Sequence, residues 1–232
     1  SSDVCSSDLV NRGVFLKNTG CGLCNRKCRV DRDNGEKGFC GETSEIRCGR
    51  AALHMWEEPC ISGTRGSGTV FFTGCVLKCV FCQNSVLAES KVGKPVTVSR
   101  LAEIFLELQN KGAHNINLVT PTHFVPSIRE SIILSKKNGL SVPIVYNTGS
   151  YESVDTIKSL EGLVDIYLPD LKYVSSELSK KYSKAGDYFE VARKAIDEMV
   201  RQTGTSEFDD DGIMKKGVIV RHLLLPGCLS DS

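Results

Sequence analysis

Three cysteines, Cys75, Cys79 and Cys82, fall within eight residues, with Gly74 before them and Phe81 between the last two. Thiolate is the ordinary ligand of iron–sulfur clusters, and a C-x3-C-x2-C run can hold three irons of a cubane. No fourth cysteine follows in ferredoxin-like spacing, so one iron would lack a protein thiolate. An open metal position is where substrates or cofactors bind, as at catalytic zinc sites. The rival reading is a tetrahedral zinc completed by a distant Cys or His, although zinc more usually takes paired C-x2-C units.

A second set precedes the first: Cys21, Cys24, Cys28 and Cys40, followed by Cys48 and Cys60. Three close thiols and a fourth between Gly38 and Gly41 are enough for a closed zinc site. They would equally hold a fully ligated [4Fe-4S] cluster. Either metal would fold a stretch too poor in apolar residues to fold alone. Disulfides or free thiols are the remaining alternatives. A cluster there would relay electrons or bind a substrate, whereas zinc would be scaffolding or a docking surface. A thioredoxin-like role for Cys21/Cys24 or Cys79/Cys82 is poor, because each pair sits inside a larger thiol group.

The cysteines also bear on compartment. There are 11 in 232 residues, ten of them within the first 82. That is about 5%, below the roughly 8–10% of short disulfide scaffolds. The N-terminus lacks the apolar core of a secretory signal, so a reducing, cytoplasmic setting is expected. Lys and Arg total 29 against 28 Asp and Glu, a formal charge of +1. That balance argues against a nucleic-acid surface. No run approaches the roughly 18 apolar residues of a membrane span, so a soluble chain is expected.

The elements that must position the thiols begin at Thr69. Short, β-branched and aromatic runs at 69–73, 115–120, 143–147, 164–173 and 217–227 predict strands. Continuous apolar runs suit strands buried on both faces of a parallel sheet. Between them, Leu101, Ile104, Phe105 and Leu108 recur at helical spacing, with Ser99 as N-cap and Gly112 as stop. Helices are also expected over 125–137 and 151–160. A fourth, capped by Asp187, would carry Phe189, Ala192, Ile196, Met199 and Val200 as its apolar stripe. This alternation predicts an α/β domain of βα units. Residues 11–67 read instead as loops around metal ligands, a Cys-rich metal-binding segment preceding an α/β domain at 68–232. Residues 1–10 and the similar Ser/Asp-rich end at 228–232 look non-native, so Cys5 and Cys228 receive no role. The last strand ends at Pro226-Gly227 with nothing after it, which suggests a C-terminally truncated fragment.

With Cys75, Cys79, Phe81 and Cys82 directly after the first strand of this domain, the chain resembles the radical S-adenosylmethionine (SAM) superfamily. The resemblance implies a partial (β/α)6 barrel and a [4Fe-4S] cluster whose fourth iron chelates SAM. It also implies reductive cleavage of SAM to a 5′-deoxyadenosyl radical that abstracts a hydrogen atom. Active sites of such sheets lie at the C-terminal strand ends. Asn147-Thr148-Gly149, Leu168-Pro169-Asp170-Leu171-Lys172 and Arg221-His222 with Pro226-Gly227 resemble loops of the pyruvate formate-lyase activating-enzyme branch. By that resemblance Asp170 and Thr148 help hold a monovalent cation beside SAM with Lys172 nearby, and Arg221 sits by the methionine moiety. Thr120-Pro121-Thr122-His123 stands where the family often has Gly-Gly-Glu, whose backbone takes the SAM amino group; Asn147 stands for an Asp. The run from His54 to Cys75 with His114–Phe124 most resembles an uncharacterised group related to the activators. The implied partners are a glycyl radical enzyme and a reductant such as flavodoxin or ferredoxin. A small-molecule or peptide substrate is the alternative within the class. An iron–sulfur electron carrier and a zinc-organised interaction module are alternatives outside it.

Four histidines and one acidic run complete the inventory. His54, beside Glu57, Glu58 and Cys60, is expected to pack rather than ligate, and His114 to cap or pack. His123 is open between an acid/base group and a satisfied loop histidine. Asp209, Asp210 and Asp211 at a Gly turn read as solvated.

Overall fold

The computed structural model describes residues 20–227; Cys5 and Cys228 lie outside that range. Eight strands form one sheet: β1 (Arg47–His54), β2 (Ser67–Phe72), β3 (Lys94–Pro95), β4 (Ile116–Val119), β5 (Ile144–Thr148), β6 (Ile166–Pro169), β7 (Glu207–Phe208) and β8 (Met214–Val218). Their order is β3-β1-β2-β4-β5-β6-β8-β7. The five central strands β2, β4, β5, β6 and β8 run parallel. β1 and β3 on one side and β7 on the other are antiparallel. The helices are α1 (Pro59–Ser62), α2 (Ser85–Ala88), α3 (Val98–Asn110), α4 (Val125–Lys137), α5 (Val154–Lys158), α6 (Ser176–Ser183) and α7 (Tyr188–Thr203). The expected α/β class with a mostly parallel sheet is what the chain forms.

Alternation along the strands divides the sheet into two faces. Val70, Phe72, Ile116, Leu118, Ile144 and Tyr146 point to one, where Leu101, Phe105, Ile128, Ile132, Ile157 and Met199 of the helices bury against them. Each such side chain taken from water contributes roughly 2 kcal/mol. The other face is mixed. Val145, Ile166, Leu168 and Met214 form a smaller cluster there with Ile61 of α1. Asn117 and Asn147 share its parity. An apolar outer layer and a partly polar inner face are what a site-bearing sheet needs.

The five expected strands correspond to the five parallel ones, with shifted ends. The run 217–227 is strand only at Gly217 and Val218, because β8 begins earlier, at Met214; beyond it Arg221 makes a single bridge to Asp170, and Leu224 is exposed. β1 was expected as loop. Its sequence RCGRAALH lacks β-branched residues, and it is held by its antiparallel pairing to β2 rather than by propensity. Residues 47–67, read as metal-wrapping loops, therefore contain a strand of the main sheet. The cap of α3 is Thr97, whose hydroxyl accepts from the Arg100 amide at 3.1 Å, not Ser99. Asp187 precedes α7 without capping it; its carboxylate binds Tyr151 Oη at 2.5 Å and Asn25 Nδ2 at 2.7 Å. The buried stripe of α7 is Tyr188, Ala192, Ala195 and Met199, and Val200 is exposed. α6 had no counterpart in the sequence reading. Among the described residues no helix is long and apolar enough to cross a membrane.

Candidate metal centre at the strand ends

β2 delivers the cysteine loop to the C-terminal edge of the parallel strands. Gly74 makes the turn at φ +79°, and a Cβ there would meet Cys40 O at 2.9 Å and His123 Nε2 at 3.0 Å. Two of the thiols then receive a hydrogen bond: Leu77 N–H donates to Cys75 Sγ at 3.4 Å and Ser183 Oγ–H to Cys79 Sγ at 2.8 Å. Burial pushes the Cys79 and Cys82 thiols up, while the Lys172 ammonium pulls both back toward thiolate. Phe81 packs on Tyr173 with ring centroids 6.3 Å apart. All nine described cysteines are free. Among the described residues no three His, Cys, Asp or Glu side chains converge on one ion position. A cubane asks for something else, one thiolate per iron, and three thiols on one short loop supply that donor set.

The next strand ends supply the groups facing this loop. A Cβ on Gly149 would meet Leu77 Cδ1 at 2.8 Å, so the loop after β5 closes directly on the cysteine loop. Asp170 is shared by two cations: Lys172 Nζ at 2.5 Å on Oδ2 and Arg221 Nε at 3.0 Å on Oδ1. Arg221 also donates to Asn147 Oδ1 at 2.6 Å. The Thr148 hydroxyl turns the other way, donating to Glu152 Oε1, which also accepts from Thr122 at 2.7 Å. Thr148 and Asp170 thus meet only through their backbones, at 2.8 Å. Lys172 and Arg221 hold the Asp170 oxygens toward which a monovalent cation was expected. Thr120 adopts a left-handed φ of +59°, where a β-branched side chain is strained.

Three residues on the inner face were not anticipated. Glu57 and Glu58 approach Arg221 Nη1 at 3.6 and 3.7 Å. Burial pushes the Glu57 carboxyl up, and Arg221 partly offsets this. Asn117 is fully buried, with no geometrically sound hydrogen bond from its amide. His123 is not a substrate-facing group. It is buried, its Nε2 meets Thr73 O at 2.6 Å, and desolvation lowers it to about 3, so the ring is neutral. His54 packs edge-on against Phe71.

The second thiol set forms beside the first. Cys24 lies among Cys21, Cys28 and Cys40, and the Sγ atoms of Cys28 and Cys40 are 3.5 and 3.6 Å from one point above Gly38. Burial alone holds the Cys48 thiol up at about 12, and it packs under the helix face of the sheet; Cys60 packs by the smaller cluster. Neither joins a set. Asp209 caps its own turn, accepting from the Asp211 and Ile213 amides.

Residues 69–207 match the sequence model of the radical SAM superfamily. The chain belongs to this superfamily. The superfamily is one of SAM-dependent radical enzymes, which use a [4Fe-4S] cluster and SAM as cofactors. The match opens at Thr69 in β2 and closes at Glu207 in β7, so the second thiol set precedes it. The radical SAM chain is also similar to an uncharacterised protein, MJ0674, of Methanocaldococcus jannaschii, with 30% identity over 218 residues. That alignment covers 90% of this chain and 58% of the relative, so the chain spans little more than half the relative's length.

Of the residues expected at the site, Cys75, Cys79, Cys82, Asp170, Lys172, Arg221 and Asn147 come together at the strand ends. Thr148 is beside them with its side chain elsewhere. Ser183 had no sequence signal, because its role depends on where α6 packs.

Proposed function

We propose that Cys75, Cys79 and Cys82 hold the superfamily's [4Fe-4S] cluster with one iron open, and that the strand-end cradle receives SAM. The parallel strands then form part of a (β/α)6 barrel. What supports this most is the three neighbouring thiols at the C-terminal end of β2 beside Lys172, two of them hydrogen-bonded at sulfur. When bound, the cluster supplies the electron that cleaves SAM to methionine and a hydrogen-abstracting 5′-deoxyadenosyl radical.

The residues around it divide the remaining work. Lys172 and Arg221 hold Asp170 neutralised, and Asn147 fixes the guanidinium of Arg221. Thr120, in a conformation glycine takes freely, follows β4 at the strand ends, and its backbone is the group proposed for the SAM amino group. Leu77 and Phe81 bring apolar walls that keep water from the reacting atoms.

The substrate reading is a backbone glycine on a partner glycyl radical enzyme, with a flavodoxin or ferredoxin as reductant, in a cytoplasmic setting. The second reading, a small molecule or peptide, is favoured by Glu57, Glu58 and Asn117 on the inner face. Reduced, iron-loaded protein incubated with SAM is expected to form 5′-deoxyadenosine, and Cys79→Ser to form none. Absence of the product from loaded wild type would point to an electron carrier; zinc without iron would point to an interaction module. A glycyl radical signal on an added partner decides between the two substrates.

A further inference from the structure

We infer that Cys21, Cys24, Cys28 and Cys40 hold a second, fully ligated iron–sulfur cluster, docked against the Cys75 loop as its electron entry. The site is built before any metal is considered. Cys21 N–H donates to Val30 O at 3.0 Å and Arg29 N–H returns to Cys21 O at 3.1 Å, closing a tight loop. Lys27 and Arg29 hold left-handed φ values of +46° and +56°, a conformation costing roughly 1–2 kcal/mol for a residue with a side chain. Phe39 N–H donates to Cys28 Sγ at 3.3 Å. An amide–sulfur bond of this kind stabilises ligated thiolate. From residue 20 to 46 the buried apolar side chains are only Leu23, Cys24, Cys40 and Ile46. That is too little to order the segment, so a ligand among the thiols supplies the rest.

What favours a cluster over a structural zinc is that the segment is tied to the catalytic loop. Arg26, between Cys24 and Cys28, donates to Val76 O at 2.8 Å and Ser183 O at 3.0 Å while stacking on Phe39 at 3.9 Å. Ser183 is the residue that donates to Cys79, and Cys75 N–H donates to Cys40 O at 3.3 Å. One electron from a ferredoxin- or flavodoxin-class donor enters the second cluster and leaves toward Cys75. No bond is made or broken and no proton moves.

The site itself stands apart from the substrate reading above; only the direction of electron flow rests on a cluster at Cys75. The test is a metal count on anaerobically reconstituted protein, with sulfide and zinc counted alongside. Wild type is expected to carry about eight irons, and both Cys24→Ser/Cys28→Ser and Cys79→Ser about four. EPR of reduced wild type adds a readout independent of any variant's folding: two interacting spins instead of one. With a reduced ferredoxin as donor, bleaching of the remaining cluster in Cys24→Ser/Cys28→Ser is expected to slow at least tenfold, while dithionite reduces it as before. About four irons in wild type, with or without a zinc, overturns the second cluster, as does a single uncoupled spin. Iron lost on Cys24→Ser/Cys28→Ser but untouched by Cys79→Ser would instead overturn the assignment of Cys75, Cys79 and Cys82.

Discussion

The Cys75 amide donates to the Cys40 carbonyl at 3.3 Å, so two thiol sets 35 positions apart in sequence share a backbone hydrogen bond. Gly74 makes that approach achievable, since its absent side chain is where Cys40 O and His123 lie. Gly74→Ala is expected to destabilise the loaded protein by about 3 kcal/mol, from the left-handed backbone plus the clash with a carbonyl that cannot swing away. Urea unfolding with an iron count checks it. Unchanged stability and iron content would mean the two loops are not locked.

Thr120 carries strain without a compensating side-chain bond. Thr120→Gly relieves it, and after the entropy glycine loses on folding the expected gain is about 1 kcal/mol. SAM affinity, measured by calorimetry on the loaded protein, is expected to stay within a few-fold. A loss of tenfold or more would show that the hydroxyl, not the backbone, serves the cradle.

His123 gives a pH signature. Its folded value, about 3, is below the ordinary 6.5 because burial penalises the imidazolium. A depressed value means the unfolded chain binds the proton first, so the stability is present above pH 6.5 and lost as pH falls toward 3. By pH 5 the loss amounts to about 2 kcal/mol. His123→Gln removes this component. Denaturant titrations at pH 8 and pH 5 are expected to show a smaller acid loss in the variant; equal losses contradict it.

Glu152 is buried with one carboxylate oxygen accepting from Thr122 and Thr148 and the other without a partner. Desolvation raises its carboxyl above the usual range, so the group favours folding at low pH and loses that contribution as pH rises through the raised value. Glu152→Gln keeps an acceptor without the buried charge, and its stability at pH 7 is expected to match or exceed wild type. Glu152→Ala leaves two hydroxyls unpaired and is expected to cost about 2–4 kcal/mol. Thermal melts of the pair distinguish them; a Gln variant as unstable as Ala would mean the ionised carboxylate is needed.

The sequence made the parallel strands and the chemistry-bearing cysteines legible for the same reason: both are local. Val70 to Phe72 and Val164 to Leu168 announce buried strands by composition, and Cys75 to Cys82 announce a cluster by spacing. β1 was illegible because Arg50, Ala51 and Ala52 form a strand only through their partners in β2. The roles of Thr148, Glu152 and Ser183 were illegible because each depends on a partner from another element. The Thr148 hydroxyl binds the residue four positions on instead of Asp170, at the adjacent strand end.

The central claim is that three thiols hold a cluster with an iron left open for SAM. EPR of the dithionite-reduced, iron-loaded protein tests it most directly, with Cys24→Ser/Cys28→Ser used to remove the neighbouring signal. Adding SAM is expected to change the spectrum of the remaining cluster, in that variant as in wild type, and Cys75→Ala, Cys79→Ala or Cys82→Ala to abolish the response. A spectrum that SAM leaves unchanged contradicts the open iron, and with it this account of the site.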